Sequence, residues 1–194
     1  RATQDRVGDV GAYLDESFEE LCVQFAIAFP PYDIGRYENA EQFAAFLAGR
    51  WRERPPRRAY MRDLVQIELA LVRARRPFSP GGDGTAPQRR PAIRRSAAVQ
   101  LLECGYDVRP LFEPEPRAEE PEPRPVWLAI MPPLPGDVAA CGTPRVLELS
   151  PELHEALAAL AAWRPLDRAD PLGIGAPVEL AAQLVDIGLL EVVA

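Results

Sequence analysis

The stretch Arg145-Val-Leu-Glu-Leu-Ser-Pro-Glu-Leu-His-Glu-Ala-Leu-Ala-Ala-Leu160 changes its hydrophobic period at the centre. Arg145–Leu149 reads as a strand. Ser150-Pro151 then places an N-cap before a proline at the first helical position, where its missing N–H has no partner to lose. Leu153, Leu157 and Leu160 mark the helix that follows, predicted to run to about residue 163. Downstream, Pro177 opens a second helix with Ala181, Leu184 and Ile187 inward. Gly188 is its predicted stop, and Leu189–Val193 a short closing strand. Upstream, Val126–Met131 reads as a strand and Tyr106–Phe112 as a weaker one. Strands followed by two helices and a terminal strand predict an α+β module of winged-helix type.

Proline divides the rest. Of 22 Pro in the chain, 13 lie between Pro77 and Pro135. Residues 77–91 are rich in Pro, Gly and Arg and read as a linker. Residues 113–125 alternate acid and proline and read as an extended, self-repelling loop. The predicted organisation is a helical domain over 1–76, the linker at 77–91, and an α+β module over 92–194.

The first domain carries helical periods. Phe18, Leu21, Cys22, Phe25 and Phe29 share one face, with Asp15 or Ser17 as cap, and Pro30-Pro31 ends that helix. A second helix is expected from Asn39, with Phe43, Phe46, Leu47 and Trp51 as its stripe. A third is expected over roughly 57–75, burying Tyr60, Met61, Leu64, Val65, Ile67, Leu71 and Val72. Short connections between three amphipathic helices predict a small bundle.

Composition narrows the function classes. Apolar residues make up 47% of the chain, enough for a core. There is no Lys, and no apolar run long enough to span a bilayer. The net charge of −7 argues against a general polyanion binder. Residues 1–20 show no signal-peptide core, which predicts a cytoplasmic location. The chain starts at Arg1 rather than Met, which suggests a truncated N-terminus. Cys22, Cys104 and Cys141 are too widely spaced for a zinc site or a disulfide framework, and are read as structural or free thiols.

Catalytic patterns do not assemble. His154, the single histidine, lies in a helix's first turn and is expected to face solvent or to cap. No second His follows at zincin spacing. Gly81–Gly84 and Gly173-Ile-Gly175 read as turns. Asp15, Glu16, Glu19 and Glu20 read as a solvated helix N-terminus, favoured by the helix dipole. Glu68 lies at the margin of an apolar face and is expected to form an ion pair with the nearby Arg62 and Arg75.

Charge is segregated. Residues 50–95 hold 13 Arg against Glu53, Asp63, Glu68 and Asp83, a net of +9. Such a stretch can meet nucleic acid, an acidic partner surface, or the chain's own acidic loop. The helices at 151–163 and 177–187 contain no Arg or Lys and carry Glu152, Glu155, Glu179 and Asp186. They make poor readers of a DNA groove.

The order of motifs resembles a known family. Tyr13-Leu-Asp-Glu-Ser-Phe-Glu-Glu-Leu-Cys-Val-Gln-Phe-Ala-Ile-Ala-Phe-Pro-Pro31, then Phe43-Ala-Ala-Phe-Leu47, then Tyr60-Met-Arg-Asp-Leu-Val-Gln-Ile-Glu-Leu-Ala-Leu71 follow its pattern. Arg95-Ser-Ala-Ala-Val-Gln-Leu-Leu102 and Leu147-Glu-Leu-Ser-Pro151 with its two helices also fit. The family is the partner subunits of multinuclear non-haem iron oxidases in ribosomal peptide biosynthesis, as for methanobactin, often labelled DNA-binding. Residues 77–91 and 113–125 depart from the pattern as local expansions, and the family's extra N-terminal helix has no counterpart before residue 8.

The resemblance implies a non-catalytic bacterial accessory subunit with no cofactor of its own, the iron lying in the partner oxidase. It implies that the C-terminal module holds the leader of a precursor peptide as an added strand, for Cys modification by the oxidase. The implied peptide-binding residues are Arg145, Val146, Leu147, Glu148, Leu149, Gln183 and Leu184. Glu68, Arg62, Arg75 and Arg76 are the candidate partner contacts. The alternative is a DNA-binding regulator using residues 50–95, and the least favoured reading is a small enzyme using Cys or Glu68.

Overall fold

The cap-and-proline signal at Ser150-Pro151 operates as the chemistry requires. In the computed structural model, which describes residues 18–30, 35–75, 91–112, 120–133, 142–167 and 169–193, the Ser150 Oγ accepts the N–H of Leu153 at 3.2 Å. The helix after it spans Pro151–Ala159, and the strand before it Arg145–Leu149. The described residues form a mixed α+β fold with five α-helices and two small sheets. They divide into two compact units, residues 1–73 with 105–125, and residues 74–104 with 126–194.

In the first unit, α1 is Phe18–Ala28, α2 is Arg36–Glu53 and α3 is Met61–Ala74. Phe25 of α1 meets Phe43 edge-on at 5.2 Å and Phe46 at 5.8 Å. Leu21, Leu47, Tyr60, Met61, Leu64 and Ile67 are buried. The stripes read from the sequence face inward, with Cys22, Phe25, Phe29, Phe43, Phe46, Val65 and Val72 only half-buried. The caps proposed at Asp15 or Ser17 lie outside the described residues. Helix α2 begins three residues before the predicted Asn39, because Gly35 takes the extended N-cap conformation. Helix α3 begins later than residue 57, because residues 57–60 form a turn in which the Met61 N–H donates to the Arg58 carbonyl.

In the second unit, β1 is Ala92–Arg95, β2 Gln100–Tyr106, β3 Pro123–Met131 and β4 Arg145–Leu149; α4 is Pro151–Ala159, β5 Arg164–Pro165, α5 Val178–Asp186 and β6 Leu190–Val193. One sheet has the order β5-β1-β6, the other β2-β3-β4. Strand β1 runs antiparallel to both neighbours, with Ala92 opposite Val193 and Arg95 opposite Leu190. Strand β4 runs antiparallel to β3, with Trp127 opposite Leu149 and Met131 opposite Arg145. Both faces of β3 are buried: Val126, Leu128 and Ile130 on one, Ala129 and Met131 on the other. That explains its unbroken apolar run. Ala129, Met131 and Leu149 join Leu157 and Leu160 of the α4 region, Leu184 of α5 and Ile93 of β1 in one core.

Two predicted boundaries are corrected, and one strand is new. The strand expected over Tyr106–Phe112 is instead Gln100–Tyr106, followed by a 3₁₀ turn at Arg109–Phe112. Asp107 draws the chain back by accepting the Arg109 N–H, and Pro110 has no N–H to give a ladder. Helix α4 stops at Ala159 rather than 163, because the Leu160 carbonyl accepts the Arg95 N–H at 2.7 Å and the chain leaves to pair as β5. Strand β1 was not foreseen at all.

Gly188 ends α5 as read. Its φ is 82°, its N–H donates to the Val185 carbonyl, and the Leu189 N–H donates to Leu184, the double bond of a Schellman turn. A side chain is strained in that left-handed conformation. Gly188→Ala is expected to cost about 1 kcal/mol, read as a lower urea midpoint with unchanged slope.

Candidate functional site

Among the described residues, strand β4 is at one edge of its sheet, with β3 as its single strand neighbour, and β2 is at the other edge. The implied peptide-binding residues on β4 and α5 divide by environment. Leu149 and Leu184 are buried core residues, and Leu147 packs against the same core. Val146 is half-buried; Glu148 and Gln183 are exposed. Arg145 donates from Nη2 to the Ile187 carbonyl at 2.7 Å and from Nε to the Pro132 carbonyl at 3.3 Å. Its guanidinium thus sits on the C-terminal end of α5, where unpaired carbonyls and the helix dipole favour a cation. The structure joins Arg145 to α5 as a helix cap.

The candidate partner contacts come out as follows. Arg62 is exposed and donates to the Trp51 carbonyl at 3.2 Å. Glu68 and Arg75 are half-buried, and each has an interaction partner. Arg76 lies outside the described residues. Elsewhere the basic stretch meets groups of its own chain. Arg73 pairs with Glu41 at 3.1 Å and Arg58 with Glu120, from the acidic loop, at 3.2 Å. Arg94 pairs with Glu191 at 2.7 Å and lies over the Trp163 ring at 4.5 Å.

His154 overturns its reading. It is only 8% exposed, because the helical period puts it on the face of Leu157 and Leu160. Capping falls to Ser150 instead. The His154 Nε2 is buried with no hydrogen-bond partner among the described residues, and Nδ1 is 3.7 Å from the Glu103 Oε1. The ring lines a cavity of about 540 Å³ at the start of β2, together with Arg95, Ala97, Val99, Gln100, Leu101, Glu103 and Ala158. Arg95 donates from Nε to the Leu157 carbonyl at 3.2 Å and from Nη1 to the Val99 carbonyl. Burial lowers the pKa of its guanidinium. Glu103 stands at the rim, its side chain 72% exposed. Residues 95–101 enter the sequence reading only as part of a family-like motif and of the basic stretch; His154 alone is weighed as a chemical candidate, and its spacing to Leu157 and Leu160 already carries the signal.

Other candidates are structural. Gly173 and Gly175 have positive φ in a turn that wraps the Asp170 carboxylate. That carboxylate accepts the N–H groups of Gly173, Ile174 and Gly175 at 2.8–3.1 Å. These bonds, the Gly175 one foremost, hold Asp170 below the usual carboxylate range. Cys104 is buried and Cys22 half-buried, with burial pushing the Cys22 thiol up. Gly81–Gly84, Glu16 and Cys141 lie outside the described residues. Among the described residues, no three or more His, Cys, Asp or Glu side chains gather as a metal site, and no helix is long and apolar enough to cross a membrane.

Asp63 was also missed. Nine-tenths buried on the first turn of α3, it accepts the Tyr106 N–H at 3.0 Å and the Gly105 N–H. Nothing in its local sequence marks it, because its partners come from more than forty residues away.

No protein-family model matches the chain, and no curated protein matches it.

Proposed function

We propose that the chain is a non-catalytic accessory subunit that binds a multinuclear non-haem iron oxidase and presents the leader of a ribosomal precursor peptide for Cys modification. In this reading the first unit is a small helical bundle and the second a winged-helix-like peptide-recognition module, both cytoplasmic. The iron belongs to the partner. The observation that carries the reading is the sheet β2-β3-β4, whose outer strands each have one neighbour among the described residues. Their remaining main-chain donors and acceptors suit an extended peptide, which gains hydrogen bonds by adding as a strand. Tethering the leader makes the encounter between core peptide and oxidase intramolecular. On α1, Val23 and Ile27 lie one turn apart, 59% and 75% exposed, which suits a surface for a partner protein. The ion pairs of Arg58, Arg73 and Arg94 with the chain's own carboxylates favour this reading over a DNA-binding regulator.

The test is co-expression of the full chain with the iron oxidase and the short Cys-containing peptide encoded by adjacent genes. The expected result is co-elution of chain and oxidase, with a mass change on the peptide that requires both. Separate elution, with the oxidase modifying the peptide equally fast alone, would overturn the proposal.

A further inference from the structure

We infer that the cavity at the start of β2 docks an extended peptide bearing an acidic and a basic side chain four residues apart. This rests on the peptide-binding reading and adds which sheet edge is used and what sequence it takes.

The first argument is the edge. Among the described residues β2 pairs with β3 alone, so its outer side offers main-chain groups to a further strand. The segment lines the cavity with Val99, Leu101 and Glu103 and also with Gln100, of the opposite parity. Successive residues point to opposite faces, so a cavity bounded by both parities meets the strand along its edge. Helix α4 contributes His154 and Ala158 to the lining. The volume of about 540 Å³ falls within the roughly 300–1,000 Å³ of pockets that enclose small ligands or a few side chains.

The second argument is charge. Arg95 is half-buried, and its side chain donates to two carbonyls and to no carboxylate among the described residues. A guanidinium carries five N–H donors in a planar fork. Nε and Nη1 serve the end of α4 and the turn before β2, which leaves donors for a carboxylate to accept. The helix end supplies only a partial negative charge, so a full anion completes the site. At the other end, Glu103 holds an exposed carboxylate beside His154. Val99, whose carbonyl Arg95 binds, and Glu103 are four residues apart, about 13 Å along a strand. An added strand has the same repeat. Its acidic residue then meets Arg95 while a basic residue four positions away, on the same face, meets Glu103.

The third argument is the ring of His154, whose Nδ1 lies 3.7 Å from the Glu103 Oε1 and adds a polar group at that end of the cavity. No residue of β4 lines this cavity.

The experiment selects random peptides of about twelve residues, displayed with their C-termini blocked, on the full chain. Amidated synthetic copies are then measured by fluorescence anisotropy. The expected result is enrichment of Asp or Glu four positions from Arg or Lys. Arg95→Gln is expected to weaken binding about tenfold or more. Ala158→Trp, which fills the rim from an exposed helix position, is expected to do the same. Glu103→Arg should exchange the preferred basic residue for an acidic one, and Glu53→Arg, at an exposed position of α2, should change affinity by less than about twofold. If Arg95→Gln does not fold, the Ala158 and Glu103 variants carry the test. Peptides that bind the wild type, ignore Ala158→Trp and lose affinity with Glu148→Arg overturn this site and leave peptide binding standing. No enrichment on the wild-type chain overturns peptide binding itself.

Discussion

Leu157→Ala is expected to lower the unfolding free energy of the second unit by about 3–5 kcal/mol. Leu157 is fully buried on α4, in a core built by Ile93 of β1, Met131 of β3, Leu149 of β4 and Leu184 of α5. Truncation removes three carbons and leaves a void whose walls belong to separate elements. The strand walls are fixed by ladder hydrogen bonds, so the site cannot collapse cheaply and the cavity cost adds to the lost transfer energy. Against a typical total of about 5–15 kcal/mol, this is a large fraction. Trp127 and Trp163 belong to this unit and Trp51 to the other, so fluorescence of a Trp51→Phe background in a urea titration reports it, with a midpoint shift at constant slope. Ala159→Ser, on the exposed side of the same helix, should stay within about 0.5 kcal/mol. A Leu157→Ala loss below about 1 kcal/mol would mean that α4 is not packed on this core.

How far the sequence reveals this fold depends on whether the deciding partner is local. The β4–α4 junction is legible because strand period, Ser150 and Pro151 are consecutive, and each acts through near neighbours. The Schellman stop at Gly188 is legible for the same reason. Strand β1 is opaque, since Arg94 and Arg95 do not look like strand residues. Arg94 is accommodated by Glu191 on the facing strand and by the Trp163 ring. Arg95 is accommodated by the Leu157 carbonyl, sixty-two residues away. The end of α4 is hidden for the same reason, because Arg95 also claims the Leu160 carbonyl. The cavity inherits that opacity: its cation sits on an unforeseen strand. His154 was different, since the wheel that placed Leu157 and Leu160 inward also placed His154 there. Its place in the helix's first turn suggested solvent or a cap instead.

Asp63→Leu is expected to cost about 2–4 kcal/mol, since the N–H groups of Gly105 and Tyr106 lose their acceptor in a buried place. Asp63→Asn keeps an acceptor oxygen and should cost less, and its pH profile separates charge from hydrogen bonding. Burial holds the Asp63 carboxyl above the usual range, against the two N–H bonds that lower it. The folded state therefore binds the proton more tightly than the unfolded chain. Its contribution is fully present below the unfolded pKa, about 3.9, and declines as pH rises through the raised folded value. Asp107 has the opposite sign. The Arg109 hydrogen bond, helped by the charges of Arg109 and Arg124, holds it low. Its contribution is present above the unfolded value and lost as pH falls through the lowered folded one. Thermal unfolding across acid pH should thus give two difference curves of opposite slope. The deficit of Asp63→Asn relative to wild type is largest in acid and shrinks as pH rises. The deficit of Asp107→Asn is largest near neutrality and shrinks on acidification. Parallel curves would show that neither carboxyl is perturbed by its surroundings. An Asp63 deficit that grew with pH would mean that its N–H bonds outweigh its burial, reversing the balance assigned to it.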